Sequence, residues 1–184
     1  MTSFDDEPDL AMTYDPETLH EHYADEAAAR ARTDVLRGEI RSAPDEIGEL
    51  AARGELVERL RGIGELDDAL DEANAAVDRA EIAGNAAQQH TARLRLAQVH
   101  QWRGEFAESN LLVTELLAAA TSFGPVIEAF TRQQAGGNDY DQGHWADARE
   151  HFARALTIRD ELELSEREAS RVSLAAAERR LGPA

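Results

Sequence analysis

Apolar residues recur at intervals of three and four along most of the chain, which is the spacing of an amphipathic helix. Between residues 45 and 162 this pattern is interrupted by Gly, Asn, Ser and Pro, residues that end helices. The pattern and its interruptions predict six helices in this part of the chain. We expect them at 45–62, 66–82, 86–103, 106–122, 126–142 and 145–162.

A seventh helix is expected before these six. Asp15 suits an N-cap and Pro16 a first helical position, so the pattern predicts a helix over 15–41. Apolar residues follow at intervals of four and are expected to form one buried stripe: Leu19, Tyr23, Ala27, Ala31 and Val35. Residues 1–14 are acidic and show no periodicity, and are therefore expected to form a flexible arm.

An eighth helix is expected at the other end of the chain, over 165–182. Ser165 and Glu168 have the spacing of a capping box, and Gly182-Pro183 is a typical helix stop. Apolar residues between these signals lie on one side of the helix, opposite Arg and Glu. This helix is expected to cover one end of the six central helices.

The six central helices repeat one pattern three times. A glycine followed two residues later by a bulky apolar residue occurs at Gly64, Gly104 and Gly143, with spacings of 40 and 39 residues. Small residues follow five positions after each glycine, at Ala69, Ser109 and Ala148. Each segment predicts a helix A, a tight turn whose glycine takes a positive φ, and a helix B. Such hairpins must stack to bury their apolar faces.

Composition and charge narrow the range of folds and of partners that the chain can have. Aromatic residues make up only 5% of the chain and Ala is abundant, which favours closely packed helices and an all-α fold in one domain, 15–184. The formal net charge of -18 disfavours nucleic acid and anionic membranes as partners. The acidic first residues do not resemble a signal peptide, so we expect a cytoplasmic protein. The chain has no Cys, and all its basic residues are Arg.

The repeats resemble the tetratricopeptide repeat (TPR). The third repeat is the most similar, through Gly143, Trp145, Ala148, Phe152, Ala155 and Leu156. The closing Pro of the family is missing, Arg53, Arg93 and Arg132 stand at the first aromatic position, and the period exceeds the usual 34 residues. The resemblance implies a short right-handed α-solenoid of about three hairpins (45–82, 86–122 and 125–162) between an N-terminal helix and a C-terminal capping helix.

The resemblance also implies a function and a site. In this family the A helices line a concave surface that binds a protein or peptide. The corresponding positions predict a peptide-binding site at Arg95, Gln98, Trp102, Phe130, Gln133, Tyr140 and Asp141. The clamp with which some members bind a C-terminal carboxylate is missing, since Arg95 is the only cation at the matching positions. We therefore expect a non-catalytic scaffold with a neutral or basic partner and no cofactor.

Two other functions remain open at this stage. The chain could form a structural or regulatory homo-oligomer by pairing the stripe from Leu19 to Val35 with its copy. It could also bind a metal, or act as an enzyme, through a cluster of carboxylates and imidazoles: Asp139, Asp141, His144, Asp147 and His151. Gly136-Gly137 is unusual within a helix. One of these glycines is expected to allow close packing, and the other suggests a kink or an approaching ligand.

Overall fold

Eight α-helices and two short strands make up most of residues 12–182, the part of the chain that the computed structural model describes. The strands are β1 (Met12–Tyr14) and β2 (Glu21–Tyr23). The helices are α1 (Glu26–Ser42), α2 (Glu46–Gly62), α3 (Leu66–Ala83), α4 (Ala86–Trp102), α5 (Phe106–Ala120), α6 (Pro125–Asp141), α7 (Trp145–Glu161) and α8 (Arg167–Leu181). The expected helical fold is confirmed, and the six central helices lie within two residues of their predicted bounds. No described helix is long and apolar enough to cross a membrane.

The chain divides into two compact units. Within the described residues, unit 1 contains 12–15 and 20–95, and unit 2 contains 16–19 and 96–182. The division falls within α4, whose first part belongs to unit 1 and whose last part belongs to unit 2. Most of the expected arm, residues 1–11, lies outside the described residues, and residues 12–14 form β1.

The predicted helix over 15–41 is wrong in its first eleven residues, because α1 begins at Glu26. An antiparallel pair, β1 and β2, occupies this region, with Met12 opposite Tyr23. Arg61 Nη2 donates to the Glu21 carboxylate at 2.6 Å, and the Tyr23 ring lies so close to Gly62 that a Cβ there would be 2.6 Å from Cε2. These contacts with α2 hold the second strand in place. The Asp15-Pro16 pair therefore precedes a turn between strands.

The buried face of α1 also differs from the predicted stripe. Its buried residues are Ala29, Thr33 and Leu36. Ala27 and Ala31 are exposed, and Val35 is 52% exposed. Leu19 and Tyr23 precede the helix altogether. The hypothesis of pairing through the stripe from Leu19 to Val35 therefore lacks the continuous helical face on which it depended.

The three glycine turns are confirmed. The glycines at 64, 104 and 143 have φ values of 78°, 73° and 77°. In each turn the residue after the glycine donates its N–H to the carbonyl five residues earlier, at 2.9 Å. These donor and acceptor pairs are Glu65 and Leu60, Glu105 and His100, and His144 and Asp139. A positive φ closes the helix with this bond, which is why glycine stands at all three places.

The predicted small and apolar positions form the interior of the hairpins. Ala69, Ser109 and Ala148 are fully buried, and the Ser109 hydroxyl donates to the Ala97 carbonyl at 2.9 Å. Gly136 packs against the Phe152 ring, since a Cβ at residue 136 would lie 2.6 Å from Cδ1. Helix α6 continues through both glycines without a break.

The predicted capping box of the last helix is wrong. Helix α8 begins at Arg167, and no side chain caps its first turn. The Glu166 carbonyl instead accepts a hydrogen bond from Arg159 of α7 at 3.0 Å. This hydrogen bond joins the start of α8 to α7. The buried face of α8 carries small residues, namely Ser170, Ser173, Ala176 and Ala177.

Candidate functional site

The residues predicted to bind a peptide do not share one environment. Arg95 belongs to unit 1, whereas the other six residues belong to unit 2. Within unit 2, Phe130 is exposed and Gln98, Trp102, Gln133 and Asp141 are half-buried, but Tyr140 is only 7% exposed. The side chains of unit 2 therefore have to be considered one by one.

Phe130 is the exposed aromatic residue of α6. Its side chain is 39% exposed, and Val126, one turn earlier on the same helix, is 43% exposed. The guanidinium of Arg159 lies against the ring, 5.0 Å from its centroid. A cation against one face of an aromatic ring is attracted by the electrons of that face. Phe130 is thus both exposed to solvent and fixed in place.

A hydrogen-bond network holds Arg159 beneath that ring. Arg159 is 2% exposed, and its Nη1 donates to the Ser170 hydroxyl at 2.8 Å and to the Glu166 carbonyl at 3.0 Å. The Ser170 hydroxyl donates in turn to Gln133 Oε1 at 2.7 Å, and Gln133 Nε2 donates to the Ser173 hydroxyl at 3.0 Å. Gln133 therefore joins α6 to α8 and helps to position Arg159, a role different from the predicted ligand contact.

Tyr140, predicted as a peptide-binding residue, lies in the core of unit 2 and is only 7% exposed. Its ring packs in a cluster with Ala148 and Phe152. Its hydroxyl donates to the Glu17 carbonyl at 2.9 Å and accepts from Arg180 Nε at 3.3 Å. A tyrosine with these partners stabilises the unit and presents little surface to a partner.

Asp141 takes part in a second polar network, between α4 and α6. Gln101 Nε2 donates to Asp141 Oδ2 at 2.7 Å, and Gln134 Nε2 donates to Gln101 Oε1 at 2.6 Å. The buried amide of Gln101 is thereby hydrogen-bonded at both ends, as a buried polar group requires. Gly137 lies beside this amide, but a Cβ at residue 137 would be 3.4 Å from Nε2, an ordinary contact distance, so the amide does not require a glycine there.

The cluster considered for a metal is arranged around Asp139. His144 Nδ1 lies 3.7 Å from Asp139 Oδ1, and His151 Nε2 lies 3.6 Å from Asp139 Oδ2. Burial raises the pKa of Asp139, and burial lowers the pKa of His151, near which Arg132 also lies. Asp141 is bound to Gln101 instead of joining this cluster. In residues 12–182 no group of three or more His, Asp or Glu side chains is arranged to hold a metal ion.

Comparisons with known proteins leave the family open. No protein-family model matches the chain, and a search of curated proteins finds no similar one. The resemblance to tetratricopeptide repeats therefore stays a prediction.

Unit 1 contains a separate surface groove that the sequence did not reveal. It is a cavity of about 320 Å³ between α2 and the first part of α4, with Ala76 of α3 also in its wall. Its lining is mostly apolar: Ile47, Leu50, Ala51, Gly54, Ala76, Asn85, Ala87, Gln88, Thr91, Ala92 and Arg95. Arg95 is the charged residue of this lining. The other polar residues of the lining, Asn85, Gln88 and Thr91, are uncharged.

Proposed function

We propose that the chain is a non-catalytic scaffold that binds a protein or peptide partner through the face of α6 that carries Val126 and Phe130. The observation that carries this proposal is the exposed ring of Phe130 supported by the buried Arg159. Large aromatic side chains are normally buried when they only stabilise a fold. A supported ring in contact with solvent has the character of a binding anchor.

The network beneath the ring favours binding in energetic terms. Aromatic residues are prominent among the few side chains that supply most of the binding energy at protein interfaces. Ordering a side chain on binding has a free-energy cost, which is smaller when the side chain is already fixed. Arg159, Gln133 and Ser170 fix Phe130 before a partner arrives. Gln133, which the sequence predicted as a ligand contact, thus supports Phe130 indirectly through Ser170 and Arg159.

The helical hairpins support a TPR-like scaffold of the short, right-handed solenoid type. Three turns share the same glycine conformation and the same hydrogen bond, and the small residues after them are buried. Repeat scaffolds of this kind present A helices to their partners. The net charge of -18 favours a neutral or basic partner whose apolar side chain contacts Phe130.

A library experiment tests this function. Peptides from a displayed random library are selected on the immobilised chain, and the enriched peptides are synthesised and titrated calorimetrically against three proteins. The wild type is compared with Phe130→Ala and with Leu111→Ala, whose side chain on α5 is also exposed. We expect Phe130→Ala to weaken binding by at least about tenfold, the loss typical of an interface anchor. Leu111→Ala should bind as the wild type does.

Circular dichroism of both variants controls for folding, since truncating an exposed ring should leave the helical signal unchanged. Equal affinity of the wild type and Phe130→Ala for every enriched peptide would contradict the proposed face. Failure of the chain to enrich any peptide would contradict peptide binding itself.

A further inference from the structure

The groove in unit 1 has the chemistry of a small-ligand site. We propose that it binds an aliphatic carboxylate, with the hydrocarbon chain along α2 and α4 and the carboxylate on the guanidinium of Arg95. Its volume of about 320 Å³ falls at the small end of the range for ligand pockets, about 300–1,000 Å³. This inference is independent of the Phe130 face, which lies in unit 2.

Arg95 has donors left for an anion. Its Nε donates to Glu58 Oε1 at 2.8 Å. Within residues 12–182 that is the one hydrogen bond of its guanidinium, so both Nη groups remain available. The side chain is 30% exposed and lines the groove. A guanidinium binds a carboxylate well because its N–H groups match the two oxygens.

Gly54 holds the guanidinium at this position. A Cβ on residue 54 would lie 2.8 Å from Cζ of Arg95, closer than atoms can approach. The glycine therefore lets the guanidinium lie directly against α2. This contact keeps Arg95 at one end of the groove instead of extended into water.

The walls of the groove accept a hydrocarbon chain better than a peptide backbone. The polar groups at its other end are already paired: Asn85 and Gln88 exchange hydrogen bonds between side chain and backbone, at 2.9 and 3.0 Å. The Thr91 hydroxyl donates to the Ala87 carbonyl at 2.9 Å. An extended peptide would lose hydrogen bonds to water along this wall without gaining new ones. The hydrocarbon part of an aliphatic carboxylate makes no hydrogen bonds to water, so it loses none when it lies along this wall.

The length of the groove indicates the size of the ligand. The lining residues contributed by α4 and the residue before it extend from Asn85 to Arg95, over which the helix rise of about 1.5 Å per residue amounts to roughly 15 Å, close to the extended length of decanoate. The apolar side chains between them include Ala87 and Ala92 of α4 and Leu50 and Ala51 of α2. Each methylene buried against them adds to affinity.

Titration of the full chain with decanoate, below its micelle-forming concentration, tests the site. Calorimetry measures affinity, and amide chemical shifts locate the ligand. We expect saturable binding, with shifts concentrated in α2 and the first part of α4. Arg95→Gln should weaken decanoate binding at least about tenfold, because it removes a charge-assisted pair. Glu58→Gln should tighten it, because Glu58 competes for the same guanidinium.

Controls separate the carboxylate from the hydrocarbon chain. Arg37→Gln removes the same charge from α1, away from the groove, and should bind decanoate as the wild type does. Decanol should bind more weakly than decanoate and should bind Arg95→Gln and the wild type equally, which also shows that the variant keeps its groove. Phe130→Ala should not alter decanoate binding.

Three results would overturn the proposal. The first is the absence of saturable decanoate binding to the wild type. The second is equal decanoate affinity of the wild type and Arg95→Gln. The third is tighter binding, at the same shifted amides, of a short acetylated peptide that ends in leucine with a free carboxylate, because the groove would then belong to a peptide ligand.

Discussion

Two neighbouring glycines of α6 face different surroundings. Gly136 lies against the ring of Phe152, and Gly137 lies beside the amide of Gln101. A methyl group at 136 would come within 2.6 Å of the ring, whereas one at 137 would be 3.4 Å from the nearest atom. The same substitution should therefore have opposite consequences at the two positions.

We expect Gly136→Ala to destabilise the protein by about 1–3 kcal/mol, the usual effect of an extra methyl group in a filled interior. Gly137→Ala should be neutral or stabilising by up to about 1 kcal/mol, because alanine favours a helix and finds room there. Urea unfolding followed by circular dichroism measures both. A Gly136→Ala variant as stable as the wild type would show that Phe152 can move aside.

His90 supplies a prediction about pH. It is buried in α4, and burial, with a smaller contribution from Arg93, lowers its pKa below the usual 6.5. The unfolded chain therefore takes up a proton near pH 6.5 that the folded chain does not take up until lower pH. Stability should fall as the pH drops from 7.5 to 5.5. Burial also lowers the pKa of His151, which contributes in the same direction.

Urea unfolding at several pH values checks this effect. His90→Gln should show a flatter dependence on pH than the wild type, with the remaining slope due in part to His151. An NMR titration of the His90 ring gives its pKa directly. A value of 6.5 or above would contradict the prediction.

Individual site residues were only partly predictable. Phe130, which the resemblance to the repeat family placed on the ligand-binding face, is exposed on α6. One partner of Gln133 and one of Tyr140, Ser173 and Arg180, lie forty residues away on α8. Sequence periodicity places a residue on a face but does not say which side chain covers it. The groove beside Arg95 was missed for the same reason, since it depends on Gly54 of another helix.

Among the elements, helix starts depend on single side chains. Asp25 accepts a hydrogen bond from the Ala28 N–H at 2.9 Å and is the N-cap of α1. Ser165, which the sequence predicted as a cap, makes no such bond, and α8 starts at Arg167. The two residues therefore make a matched test of the helix bounds.

We expect Asp25→Ala to lower the free energy of unfolding by about 0.5–2 kcal/mol, the range measured for lost N-caps. Ser165→Ala should change it by less than about 0.5 kcal/mol, as exposed substitutions usually do. Chemical unfolding of both variants provides the comparison. If Ser165→Ala lowers the free energy of unfolding as much as Asp25→Ala does, Ser165 acts as the cap of α8 that the sequence predicted.

Helices α2, α4 and α6 were predictable because two independent signals coincide in each. Helical periodicity gives the length, and a glycine that must adopt a positive φ gives the end. The hairpin of β1 and β2 carries neither signal. Its strands have three residues each, and one of them is held by Arg61, forty residues further along. Local pattern cannot report such a contact, and Asp15-Pro16 imitates a helix start.

Over the whole molecule, charge is the dominant feature. The chain has 37 acidic and 19 basic residues, all of the latter Arg. Repulsion within a strongly charged chain opposes folding, and salt screens it. Exposed ion pairs, which salt weakens, contribute little each. Salt should therefore relieve more repulsion between acidic residues than it costs in weakened ion pairs, and the protein should be more stable at higher salt concentration.

We therefore expect the melting temperature to rise between 10 and 150 mM NaCl, where the Debye length falls from about 30 to 8 Å. Neutralising three exposed acidic residues of α3 together, in Asp71→Asn, Asp78→Asn and Glu81→Gln, should reduce this rise. Thermal melts followed by circular dichroism measure both. A melting temperature that falls with salt would mean that ion pairs such as that of Arg32 with Glu55 outweigh the repulsion.

The contacts of α8 repeat those of an earlier helix. Gln101 of α4 bonds to Asp141 of α6, and Gln133 of α6 bonds to Ser173 of α8, each across forty residues. An additional hairpin engineered into the chain would thus have to enter ahead of α8, near Leu164, and take over the partner of Gln133. Added behind α8, it would meet a helix whose remaining surface carries exposed charges such as Arg171 and Glu178. These exposed charges disfavour the packing of an added hairpin against that surface of α8.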